Sequence, residues 1–138
     1  MGIQVSGRAV VGGVVTLGSA ILLSLAVAAP ALAATTDVNT ARNYAGARYD
    51  SSIDTFTVWD NGPNYRSDDG TSARLKVTKK NTSLTFTKTH EWRAGVNGQS
   101  RNFVLPNTFG SGDEISIQIC SLNSSGGTLE CRTGTAWV

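Results

Sequence analysis

Residues 113–138 read DEISIQICSLNSSGGTLECRTGTAWV, and this stretch decides the fold. Ile115, Ile117 and Ile119 alternate with Ser116 and Gln118, the period of two that sets one face of a strand in a core and the other in water. Ser125-Gly126 has the composition of a two-residue turn between Ser124 and Gly127. Counting back from that turn places Leu122 opposite Leu129 and Cys120 opposite Cys131, with both pairs on one face. The register rests on the turn alone, yet it unites the only two cysteines of the chain. A hairpin closed by a Cys120 to Cys131 disulfide is the expectation.

Upstream, further segments repeat the same period. Residues 41–49 alternate Ala45, Ala47 and Tyr49 with Arg42, Tyr44 and Arg48, which reads as a strand or, given the alanines, one short helix; the strand is favoured. Phe56 and Val58 lie on one face of the next segment, with Thr55, Thr57 and Trp59 on the other. Ala73, Leu75 and Val77, then Leu84 and Phe86, form a hairpin about the turn at Lys79-Lys80-Asn81. Phe103 and Leu105 give a short strand stopped by Pro106, and Ala136 and Trp137 close the chain beside Ile115. About seven short strands with turn signals between them predict an all-β, antiparallel β-sandwich, with a small open barrel as the alternative.

The first 33 residues have the pattern of an export signal. Arg8 and the amino terminus supply positive charge, residues 9–29 are uncharged and mostly apolar, and Ala31-Leu32-Ala33 offers small residues at a cleavage site. Retention as an anchor helix, or a cut after Ala31, are the alternatives. There is no twin arginine, and no cysteine near the cut to take a lipid. Removing 33 of 138 residues leaves 105, enough for one core and one domain over residues 34–138. Eleven basic then face ten acidic side chains, a balance too even for attraction to nucleic acid or to an anionic membrane. Polar residues 34–39 read as a mobile mature terminus. Two cysteines in an exported chain fit one disulfide in an oxidising compartment.

Asp54-x-Phe56-x-Val58-x-Asp60, a polar loop, and Asp69-Gly70-x-x-Ala73-x-Leu75 are followed downstream by an apolar strand ending in cysteine and by a second cysteine near an aromatic terminus. In this the chain resembles small secreted β proteins of actinobacteria. The resemblance implies an exported β-sandwich, and it implies no activity and no functional residues.

Candidate chemistry is sparse. His90 is the only histidine, and it stands beside Glu91 with Arg93 and Arg101 further on, the residue types of a secreted nuclease. Neighbours on a strand point to opposite faces, so the pair converges only if the chain bends, and an exposed loop histidine is the expectation. Asp60, Asn61, Asn64, Asp68 and Asp69 carry enough oxygens for calcium, but their spacing is not that of an EF-hand and turn chemistry explains them. No cofactor is expected, and no Gly-x-Ser-x-Gly elbow occurs. Trp59 either stacks on a sugar or anchors a protein interface from an exposed face, or lies under a loop or covers the rim of the sandwich, and Trp137 either does the same as an exposed aromatic or packs beside the disulfide. The expectation is a non-catalytic extracellular binding module that contacts a cell-wall polysaccharide or an extracellular protein. Its contact surface would be Trp59 with the loop of residues 60–70, including Asp60, Asn61, Asn64, Tyr65, Asp68 and Asp69. A small nuclease working through His90 and Glu91 is the alternative, with a protease inhibitor behind it because the disulfide braces no long loop.

Overall fold

A computed structural model of the protein describes residues 34–138. The export signal expected over residues 1–33 lies outside the described residues. Eight strands follow one another: β1 (Thr35–Asn39), β2 (Ala45–Asp50), β3 (Thr55–Asp60), β4 (Ser72–Lys79), β5 (Thr85–His90), β6 (Ser100–Val104), β7 (Glu114–Leu122) and β8 (Thr128–Trp137). They make two four-stranded antiparallel sheets, in the orders β1-β2-β3-β6 and β5-β4-β7-β8. No pairing joins the two sheets, so the architecture is a β-sandwich and not a barrel.

Alternation explains the layers. Tyr49, Phe56 and Val58 from the first sheet meet Leu75 and Val77 from the second with no exposed surface, and Ile115, Ile117 and Ile119 of β7 complete the centre. Burying each such side chain contributes about 1.5–3 kcal/mol. Tyr49 stacks on Phe56 with ring centroids 4.6 Å apart, and its hydroxyl donates to Asp54 Oδ1 at 2.8 Å. Burial first, and that carboxylate second, push the phenol well above its ordinary value.

The strand beyond the seven expected is β1, where a mobile terminus was expected. Val38 lies in the core, 4% exposed, over Gly134 of β8, where a Cβ would come within 2.7 Å of its Cγ2. Its outward neighbour Asp37 accepts two hydrogen bonds from Arg48 of β2, at 2.7 and 2.8 Å. Five residues of polar composition thus pair along β2 because one apolar side chain and one ion pair fall on the correct faces.

The terminal hairpin corrects its own expected turn. Asn123 N donates to Gly127 O at 2.8 Å and Asn123 Oδ1 accepts from Gly127 N at 2.8 Å, so the loop closes on Asn123 and Gly127 with Gly126 at φ +80°. Three residues, not two, sit between the closing pair, and Leu122 faces Thr128 instead of Leu129. The register shift at Ser121/Leu122 absorbs the difference, leaving Leu129 47% exposed and restoring Ser121 opposite Glu130. Cys120 therefore still faces Cys131, and the two form a disulfide with Cα atoms 4.1 Å apart. It lies on the face of the sheet opposite the isoleucines. Trp137 pairs with Glu114 near the other end of β8 and is 63% exposed, so it does not pack beside the disulfide.

One rim of the sandwich is formed by the edge strands β5 and β6, which approach each other there. Both place a cation on the inward face: Lys88 is paired with Leu75 and Arg101 with Val58. Each reaches over an aromatic ring of its own strand, Lys88 Nζ lying 5.4 Å from the Phe86 centroid and Arg101 Cζ 5.6 Å from that of Phe103. The stems cover apolar surface while the charges stay in water.

Candidate functional site

The outer face of the sheet β1-β2-β3-β6 presents two rows of side chains, fixed by register. One row runs Asn39, Gly46, Trp59, Ser100; the next runs Asp37, Arg48, Thr57, Asn102. Gly46 decides what Trp59 does. A Cβ there would collide with Trp59 Cε2 and Asn39 Oδ1, so the indole packs directly on the glycine, in space that only a residue without a Cβ leaves free. Trp59 is half-buried.

Around the indole lies a cleft of about 490 Å³, within the range of small-molecule sites. Tyr65 forms one wall, with its ring 53% exposed, and its hydroxyl accepts from Asn43 Nδ2 at 3.0 Å. Arg48 and Thr57 border the floor. Asn61, Gln99 and Ser100 close the remaining side, with Gln99 Nε2 donating to Asn61 Oδ1 at 2.6 Å and Asn61 Nδ2 to Asn43 O at 2.8 Å. The polar rim is thereby pinned by bonds to the chain. Arg48 gives its Nε and Nη2 hydrogens to Asp37 and holds that carboxylate below its usual range.

Of the expected contact residues, Trp59, Asn61 and Tyr65 come together here. Asp60 and Asp69 point elsewhere: Thr71 Oγ1 lies 3.2 Å from Asp60 Oδ1 and 2.6 Å from Asp69 Oδ1, beneath the loop. Asp60 is 1% exposed, and it also accepts from Trp92 N at 3.2 Å. Asp68 turns to the far side, accepting from Ala94 N at 3.2 Å and bordering a separate groove with Glu91 and Arg93. Asn64 is exposed and borders neither. Among the described residues no three His, Cys, Asp or Glu side chains are arranged to hold a metal ion, and Asp60, Asn61, Asp68 and Asp69 are divided among these different tasks.

His90 is no loop residue. It ends β5, pairs with Ala73 and is 2% exposed, with Nε2 at 2.9 Å from Gly98 O. Glu91 instead binds Arg93 Nε at 2.9 Å. The histidine is packed inside and the carboxylate is held in an ion pair near the surface, so the two do not converge on one substrate. Gly46, Arg48, Thr57, Gln99 and Ser100 were not among the expected site residues. The alternation already set Arg48 and Thr57 outward, whereas Gln99 and Ser100 arrive only through the long-range pairing of β3 with β6.

No family model matches this chain, and no curated protein matches it. Among the described residues no helix is long and apolar enough to cross a membrane.

Burial raises the Asp60 carboxyl above its ordinary 3.8, and neighbouring Asp69 adds to this, against hydrogen bonds from Trp92 and Thr71 that lower it. An acid with a raised folded value binds its proton more tightly in the native state. The stability it adds is full below 3.8 and declines as pH rises through the raised value. Urea unfolding of wild type and Asp60→Asn, in steps from about pH 3.5 to 7, is expected to give a difference, wild type minus variant, that falls with rising pH. A difference flat across that range refutes the assignment.

Proposed function

We propose that the protein is an exported, non-catalytic binding module whose contact surface is the cleft around Trp59. Export is supported by the signal pattern of residues 1–33 and by a disulfide suited to an oxidising compartment. The observation that carries the reading is the seating of Trp59 on Gly46, which sets a rigid aromatic in the wall of the cleft inside a pinned polar rim. A side chain with few rotatable bonds, already held in place, loses little entropy when a partner covers it. Such sites bind through the aromatic and select through the rim. The nuclease alternative finds no support in a histidine buried against a backbone carbonyl, and a protease inhibitor would need a braced, protruding loop.

The exported protein, purified from culture, is expected to begin near Ala34 and to bind envelope or medium components of its own culture, with Trp59→Ala and Tyr65→Ala each weakening capture at least tenfold. Capture unchanged in both variants removes the cleft from consideration. Degradation of RNA by the purified protein, abolished in Glu91→Ala, would replace a binding role with a catalytic one.

A further inference from the structure

Resting on the reading of the Trp59 cleft as a binding surface, we propose that its ligand is an uncharged polysaccharide, one of whose sugar rings stacks on the Trp59 indole. Three features of the cleft converge on that class. The first is the indole itself, seated on Gly46 and lining the cleft. The C–H groups on one side of a pyranose ring make an apolar, slightly positive plate, which matches the negative face of an aromatic and gains from leaving water. The second is the rim. Thr57, Ser100 and Gln99 are neutral groups able to donate or accept hydrogen bonds, and the buried Asn61 holds Gln99 in place, which is what a ring edged with hydroxyls requires.

The third is charge. The one ionic group lining the cleft, Arg48, is already matched by Asp37 through two hydrogen bonds. An anionic glycan, or an acidic peptide, brought to the guanidinium would lie beside the Asp37 carboxylate and be repelled by it, whereas a neutral chain meets a pair whose charges already cancel. The tile is also broad enough for a chain: the row from Asn39 to Ser100 crosses four strands, a span of about 14 Å at ordinary strand spacing.

The test is co-sedimentation of the purified exported protein with microcrystalline cellulose and with chitin, compared with binding to polygalacturonate and to proteins of the culture medium. Binding to a neutral glycan is expected, retained in about 0.5 M salt, where exposed charge pairs are screened. It is expected to weaken at least tenfold in Trp59→Ala and in Gly46→Ser, which displaces the indole from its seat, and to persist in Leu129→Ala on the far hairpin. Circular dichroism verifies each fold, and Trp59→Phe, which keeps a smaller ring, gives an intermediate affinity if Trp59→Ala does not fold. Capture only by polygalacturonate or by a protein, lost in Trp59→Ala, overturns the ligand class while the cleft stands. Binding to cellulose or chitin that ignores Trp59 and Gly46 overturns the cleft itself. No binding to either neutral glycan overturns the proposal.

Discussion

Tyr49→Ala is expected to remove about 3–5 kcal/mol of stability, the range for deleting a large aromatic from a packed core. Tyr49 has no exposed surface and its ring stacks on Phe56. Its neighbours across the layer are branched side chains held by two sheets, which cannot collapse into the space a ring vacates. At about 4–8 °C per kcal/mol for a domain of this size, the loss is enough to leave the variant largely unfolded at growth temperature if the parent is of ordinary stability. Tyr49→Phe separates packing from polarity. It keeps the stack and loses only the hydrogen bond to Asp54, whose half-buried carboxylate regains water, so about 1 kcal/mol is expected. Thermal and urea unfolding of the two variants measure the contrast. Equal losses in both would show that the hydroxyl, not the ring, anchors the first sheet.

Removing the disulfide with Cys120→Ala/Cys131→Ala is expected to lower stability by about 2.5–3 kcal/mol, the chain-entropy value for the short loop it closes. The bridge lies outside the core, with Cys131 exposed and Cys120 against the sheet, so little packing is lost with it. The loss then acts through the unfolded chain, which expands when the link is cut. The urea midpoint should fall and the slope of the transition should rise, because more surface is exposed on unfolding. A fall in midpoint with no change in slope would place the stabilisation in the native hairpin instead. Wild type in excess reductant should behave like the double variant.

Much of the sandwich could be read from residue order because its central strands bury one face only. β3 and β4 alternate cleanly, β7 does so from Glu114 to Ile119, and apart from Trp59 the outward residues of these stretches are the polar ones a solvated sheet requires. The cysteines served as an independent check on register, and that is why the disulfide survived a misjudged turn: Asn123 built a longer loop and Leu129 bulged to compensate. The edges were harder. β1 has the composition of a linker, and only its contacts with β2 and Gly134 make it a strand. β5 carries a lysine at an inward position, which interrupted the apolar period just before His90 and made a buried histidine look like part of a loop.

The site was half legible for the same reason. Trp59, Asn61 and Tyr65 lie close in sequence and share the cleft, and a tryptophan among outward threonines marked the face. The seat beneath it could not be seen without the register that sets Gly46 opposite Trp59. Asp60, although adjacent to Trp59, faces the other way by alternation alone, and there it became part of the framework under the loop.

Lys88 and Arg101 have a meaning for the protein at high concentration. A strand from another molecule adding to β5 would lie beside Lys88, and one adding to β6 beside Arg101, and its inward side chains would take water from that cation without offering it a partner. Strand addition is disfavoured along that border, and the same device recurs at the opposite margin, where Arg132 of β8 is paired with the inward Ile119.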